Sequence, residues 1–129
     1  MIQRIQSLYL IIAALLTGVM FTPATGLADN LQLLWRIPIY AGWGLSVIFS
    51  LLAVFQFKNR NKQVKSCIVS LLAIACSYAV LIWRSTQTEE QTPYNPLIAL
   101  PLIAFLLIIM AIAAIKKDEK LVRSADRLR

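Results

Sequence analysis

Four long apolar runs are the feature that most constrains how this chain can fold. They cover residues 5–21, 37–57, 66–83 and 97–115, and each is close to the roughly 20 residues that a helix needs to cross a bilayer. A backbone in hydrocarbon must satisfy its own hydrogen bonds, and runs without strict polar and apolar alternation are not barrel strands. The pattern therefore predicts one all-α transmembrane domain over residues 1–129, built from four spans.

The composition excludes an ordinary soluble domain. Hydrophobic residues make up 59% of the chain and charged residues 15%, against about 45–50% and about 25% in soluble domains. All charged residues lie outside the four apolar runs. The net charge of +7 is therefore explained by orientation in a bilayer, and we expect no nucleic-acid partner.

The basic residues predict which side of the membrane each end occupies. In a four-span chain, 11 of the 13 Lys and Arg residues fall on one side, in the first residues, in the 58–65 connection and in the 116–129 tail. Because cytoplasmic segments are enriched in Lys and Arg, this side is predicted to be the cytoplasm. We therefore expect an antiparallel up-down bundle with both termini cytoplasmic.

Aromatic residues gather at the opposite ends of spans two, three and four, where they predict an interfacial belt. Its members are Trp35, Tyr40, Trp43, Trp83 and Tyr94.

The first span has an alternative interpretation as a cleaved signal peptide. Arg4, the apolar run and the small residues Gly26 and Ala28 match that pattern. The run is longer than the usual 7–15-residue signal core, which favours a retained span.

Small residues predict where the central helices touch. Helices in lipid associate through close packing of small residues and through side-chain hydrogen bonds. Spans two and three each carry four such residues within an arc of about 80° or less, and the short connection makes the spans neighbours. We expect these two stripes to face each other: Gly42, Ser46, Ser50 and Ala53 on one side, Ser66, Ser70, Ala73 and Ser77 on the other.

Two prolines and two cysteines have structural interpretations. Pro96 suits a first helical turn, whereas Pro101 is expected to cost a backbone hydrogen bond and bend the outer end of the span. Cys67 and Cys76 lie nine positions apart on opposite faces of one predicted helix, too far apart for a disulfide, and both are interpreted as small core residues.

Groups that perform chemistry are missing from the spans. None contains Asp, Glu, Lys, Arg or His, the residues that mark ion paths and proton relays in membranes. The chain has no His at all, and it shows no nucleotide loop, catalytic triad or metal-ligand cluster. We therefore expect neither an enzyme nor a metal or cofactor.

The tail over residues 116–129 is predicted to form a short basic amphipathic helix. Its apolar positions share one face, and Glu119 precedes Arg123 by one turn in the favourable order. The tail is predicted to contact either a partner protein or anionic lipid at the cytoplasmic face. The residues expected to make these contacts are Lys116, Lys117, Leu121, Arg123, Ala125, Arg127 and Leu128.

Both ends of the chain carry a family resemblance. The first residues read MIQRIQSLYLIIAALL and the last read IKKDEKLVRSADRLR. These ends resemble a family of small four-helix bacterial inner-membrane proteins of unknown function, mainly from Bacteroidota. The resemblance implies an inner-membrane location and this topology, and it implies no activity.

Two functions remain open. The first is a non-catalytic accessory or scaffold subunit that stabilises a larger membrane assembly, through a membrane-protein partner or as a homo-oligomer. The alternative is a small transporter or channel for a neutral or lipid-like molecule, with a hydroxyl-lined path. A continuous cavity among Ser46, Ser50, Ser70 and Ser77 favours transport, whereas tight contact there counts against it.

Overall fold

Every element that the structure describes is helical. The computed structural model describes residues 2–22, 33–87 and 96–129, with residues 2–4 and 85 described by their backbone alone. The elements in chain order are α1 (Ile2–Gly18) with a 3-10 turn (Val19–Phe21), α2 (Leu33–Phe55), α3 (Arg60–Gln87), a second 3-10 turn (Pro96–Ala99) and α4 (Leu100–Arg127). The predicted all-α fold is confirmed over these ranges.

Three helical segments are long and apolar enough to cross a membrane: Leu33–Phe55, Arg60–Arg84 and Pro96–Arg127. A shorter apolar helical segment covers Ile5–Phe21. In each long segment only 28% of the most apolar stretch is buried inside the bundle. Large apolar side chains such as Leu15, Phe55, Leu72 and Leu106 remain at least 60% exposed, a surface that is compatible with a membrane protein.

The helices extend beyond the apolar runs that predicted them. Helix α2 begins four residues before the predicted span, and α3 begins six residues before its span and ends four after it. An apolar run marks only the part of a helix inside hydrocarbon, whereas Lys, Arg and Gln continue a helix readily in water. The connection between α2 and α3 therefore shortens to residues 56–59, where the Asn59 carbonyl accepts a bond from the Gln63 N–H at 3.0 Å.

Pro101 does not disturb its helix, which corrects the expected bend. Helix α4 begins at Leu100, so Pro101 occupies the first turn, where a missing N–H costs no intrahelical hydrogen bond. The preceding residues Pro96–Ala99 form the 3-10 turn instead of a first α-helical turn.

The four helices pack as a ring in which each contacts two neighbours: α1 packs on α2 and α4, and α3 packs on α2 and α4. The main apolar core includes Leu10 of α1, Ile74 of α3, and Ile108 and Ile115 of α4. A smaller core of Met20, Ile39 and Trp43 lies toward the other end of the bundle. Ile115 is the last buried residue of α4.

Two side chains, Trp43 and Cys76, lie elsewhere than expected. Trp43 is fully buried and fills the smaller core, so it does not belong to an interfacial belt. Trp83 is 63% exposed, and Trp35 stacks under the Arg84 guanidinium at 5.9 Å, while Tyr94 lies outside the described residues. Cys67 is buried as expected, but Cys76 is exposed, because an antipodal pair on one helix cannot face a single core.

The tail is helical but is not a separate helix. Helix α4 runs from Leu100 to Arg127 without interruption, so the predicted span and the predicted tail helix are one element. The segment contains no Gly or Pro after Pro101 that would stop or kink it.

Candidate functional site

The first candidate region is the serine seam, which we define as Ser46, Ser50, Ser70 and Ser77 between α2 and α3. All four side chains are buried. The Ser70 Oγ lies 2.8 Å from the Ser46 Oγ and 2.9 Å from the Ser50 Oγ, and it donates to the Ser46 carbonyl at 3.1 Å. Since a hydroxyl has one hydrogen and two lone pairs, Ser70 donates to the carbonyl and accepts from both other serines. One proton arrangement thus satisfies three buried hydroxyls.

Close backbone approach continues the seam toward its other end. The Ser77 hydroxyl donates to the Ala73 carbonyl at 2.9 Å and reaches across to the Ile39 carbonyl at 3.3 Å. A Cβ atom added at Gly42 would overlap the Ser77 Oγ and would lie 2.9 Å from the Ala73 carbonyl oxygen. Only glycine fits at position 42 without a shift of α3.

Along the seam, residues later in α2 contact residues earlier in α3. Ile39 meets Ser77, Ser46 meets Ser70, and Gln56 accepts a bond from the Ser66 hydroxyl at 2.9 Å. Of the eight small residues predicted at this interface, six are buried and the other two, Gly42 and Ala73, are half-buried. Gly42 faces the Ser77 side chain and the Ala73 carbonyl oxygen across the interface.

The seam is a packed contact between two helices. Its hydroxyls bond to one another and to backbone carbonyls at 2.8–3.3 Å, which leaves no water-sized gap between the bonded atoms. Thr17 in α1 behaves similarly, since its hydroxyl donates to the Ala13 carbonyl at 2.8 Å. This arrangement is the tight contact that counts against a hydroxyl-lined path.

The burial of two side-chain nitrogen atoms was not predicted from the sequence. Within the described residues, the Gln6 Nε2 and the Trp43 Nε1 are buried and have no hydrogen-bond partner. Gln6 is only 4% exposed, so its side chain lies inside the bundle. The available signal was its spacing: Gln6 precedes the buried residues Leu10, Ala13 and Thr17 at helical intervals and therefore shares their face.

The second candidate region is the tail, residues 116–129. Its base is fixed to the bundle by an ion pair between Arg60 of α3 and Asp118 of α4, with 3.0 Å between nitrogen and oxygen. Both side chains are partly buried: Arg60 is 26% exposed and Asp118 is 15% exposed. One turn further on, Glu119 and Arg123 pair at 2.7 Å along the helix. From Lys120 to Arg129 every residue is exposed.

Side chains of different character occupy three separate faces of the tail. At about 100° per residue, the acidic residues Asp118, Glu119 and Asp126 fall on the face that continues the buried positions of α4. The other two faces flank the outward side. We call the first the basic stripe, Lys116, Lys120, Arg123 and Arg127, and the second the leucine stripe, Leu121, Ala125 and Leu128.

The seven tail residues expected to contact a partner or lipid are all exposed. Lys117 lies between the two stripes on the outward side, and the other six lie on the stripes themselves. No group of three or more His, Cys, Asp or Glu side chains in the described ranges is placed to hold a metal ion.

Comparisons with known proteins give one match. A protein-family model described as "Domain of unknown function (DUF4293)" matches residues 2–128. No curated protein and no solved structure matches the chain.

Proposed function

This chain belongs to the DUF4293 family, which has no assigned activity, and from its own residues we propose that it is a non-catalytic accessory or scaffold subunit of a bacterial inner-membrane assembly. In this proposal the four helices form an antiparallel up-down bundle across the membrane with both termini in the cytoplasm. The bundle anchors the subunit, and the tail binds another component of the assembly.

The topology is supported by where the charges meet. The Arg60–Asp118 ion pair brings the 56–59 connection and the base of the tail to the same end of the bundle. Residues 58–65 and 116–129, which meet at this ion pair, hold ten of the 13 basic residues, as a cytoplasmic end would. Helix α1 and its 3-10 turn rise roughly 31 Å together, which is enough for a fourth span.

The non-catalytic role is supported by what the interior contains. The apolar runs hold no ionisable Asp, Glu, Lys or Arg, and the serine hydroxyls of the seam are already bonded to protein atoms. Catalysis and coupled transport both need polar groups whose bonds change during a cycle. The seam hydroxyls instead stabilise one arrangement of α2 against α3.

The observation that carries the proposal is the uninterrupted α4. A helix that leaves the bundle without a break holds its exposed side chains in fixed positions relative to the membrane. Leu121 is 50% exposed and Leu128 is 90% exposed, although neither lies in an apolar run that crosses the bilayer. A helix commonly binds a groove on a partner protein through an exposed apolar stripe of this kind.

The test is purification of the full chain from its native membrane in mild detergent, with quantification of co-purifying proteins. Wild type is expected to retain a partner in stoichiometric amount, and Leu121→Ser with Leu128→Ser is expected to lose it while still inserting into the membrane. The comparison variant is Lys116→Gln with Lys117→Gln at the base of the tail, which should reduce the amount of partner less than the leucine variant does. If the leucine variant keeps every component while the lysine variant fails to insert, the tail is only a lipid anchor.

A further inference from the structure

The basic stripe and the leucine stripe together describe the surface of the protein that would bind them. The basic stripe follows an i, i+4, i+7, i+11 spacing, so its four side chains lie within about 60° on one flank of α4. The leucine stripe lies on the other flank, about 140° away around the outward side. Asp118 and Glu119 are turned toward the bundle, and Asp126, although exposed, lies on the same face of the helix, opposite the outward side.

Two of the three acidic residues of the tail also form ion pairs. Asp118 is paired with Arg60, and Glu119 is paired with Arg123. Among the described residues, Lys116, Lys120 and Arg127 of the basic stripe form no ion pair within the chain. The stripe therefore presents uncompensated positive charge along about 16 Å of helix.

Lipid headgroups account for only the base of this stripe. Ile115 is the last buried residue of α4, and Arg127 lies 12 residues further on, or about 18 Å along the helix axis. The headgroup region on each side of the hydrocarbon is roughly 5–8 Å thick, and charges are screened over about 8 Å at physiological ionic strength. With α4 along the membrane normal and Ile115 at the edge of the hydrocarbon, Lys116 would lie at the lipid phosphates, whereas Arg123 and Arg127 would lie beyond them.

We infer that the outward side of α4 docks into a groove on a cytoplasmic protein segment that has one acidic wall and one apolar wall. Carboxylates on the acidic wall pair with the basic stripe, and aliphatic side chains on the other wall cover the leucine stripe. The Arg60–Asp118 ion pair fixes the rotation of α4 at its base, so both stripes face away from the bundle. This inference deepens the proposed function and rests on the tail being its docking element.

The experiment uses the full-length protein in nanodiscs of neutral phosphatidylcholine and a synthetic helical peptide as the probe. The peptide carries Glu at the same i, i+4, i+7 and i+11 spacing, with Leu on the neighbouring flank. Its control has the same composition with the Glu residues distributed around the helix. The patterned peptide is expected to bind more tightly than the control by about ten-fold, and raising the salt concentration should weaken its binding.

Two variants of equal charge separate the stripe from net charge. Lys120→Gln with Arg127→Gln removes two stripe residues, and Lys62→Gln with Lys65→Gln removes two exposed basic residues of α3 outside the tail. The stripe variant should lose roughly five-fold or more in affinity for the patterned peptide, since two surface ion pairs are removed, and the other variant less than two-fold. Equal losses, or equal binding of the two peptides, would overturn the inference.

A spin label distinguishes a lipid surface from a protein groove. With Cys67 and Cys76 replaced by Ala, a nitroxide at Ala125→Cys in nanodiscs containing anionic phosphatidylglycerol should collide mainly with a water-soluble nickel chelate. Preferential collision with oxygen dissolved in the bilayer would place the tail on the lipid and overturn the inference.

If native co-purification depends on the leucine pair but not on Lys120 and Arg127, the inference fails while the proposed accessory function stands. If nothing co-purifies, the proposed function itself fails.

Discussion

The serine seam and the tail use polar side chains in opposite ways. In the seam, Ser46, Ser50 and Ser70 are buried and satisfy one another at 2.8–2.9 Å, so no bonding capacity is directed outside the bundle. In the tail, every residue from Lys120 onward is exposed. Among the described residues of the tail, ion pairs are formed by the carboxylates of Asp118 and Glu119. The contrast separates a part of the chain that holds itself together from a part that is available to bind something else.

The largest expected effect comes from overfilling the seam. Ser46→Leu and Ala73→Leu should each lower the free energy of unfolding by about 1–3 kcal/mol, because both positions lie in a contact without spare volume. Thermal unfolding in detergent measures this effect. Ala75→Leu is the control on an exposed face of the same helix α3 and should leave the melting temperature nearly unchanged. Wild-type stability of both seam variants would mean that the seam does not hold the bundle.

A smaller substitution sharpens the same point. Gly42→Ala adds one methyl group that would overlap the Ser77 hydroxyl and approach the Ala73 carbonyl, and it should cost about 1–2 kcal/mol. Gly18→Ala makes the identical chemical change where no atom lies within 4 Å, so it should be neutral or slightly stabilising. The difference between the two melting temperatures isolates the close approach of α2 and α3, and equal effects would contradict it.

The ion pair at the base of the tail is expected to matter least for stability. Asp118→Asn should lower the free energy of unfolding by only about 0.2–1 kcal/mol, because the pair is partly exposed to solvent. A double-mutant cycle with Arg60→Gln measures the coupling between the two side chains. A coupling near zero would show that the pair does not fix the base of the tail, whereas Glu119→Gln should leave that coupling intact.

Much of the fold could be predicted because a helix that crosses a bilayer needs a long apolar run, and such runs are visible in the sequence. The four helices follow from such local patterns. The family resemblance was identified from residues 1–16 and 115–129, and the match to a domain of unknown function over residues 2–128 confirms it. The small-residue stripes also placed the seam between α2 and α3, since spacing along a helix determines which side chains share a face.

The errors share one physical cause, which is that apolar runs show composition but not which neighbours surround a residue. Trp43 was predicted at an interface because it lies near the end of a run, yet it is fully buried in a core to which Met20 of the first 3-10 turn and side chains of α3 and the start of α4 also contribute. Pro101 was predicted to bend a helix because the preceding 3-10 turn was not foreseen, and the continuation of α4 through its charged residues was similarly missed.

The central claim is that a sealed membrane bundle presents its tail on the cytoplasmic side. Single cysteines are placed, in a chain with Cys67→Ala and Cys76→Ala, at Asn61, at Ser124, and at Asn30 or Gln91, the last two being outside the described residues. A membrane-impermeant maleimide is applied to intact cells before and after permeabilisation. The account predicts labelling of positions 30 and 91 in intact cells, and of positions 61 and 124 only after permeabilisation. Labelling of position 61 or 124 from outside would contradict it.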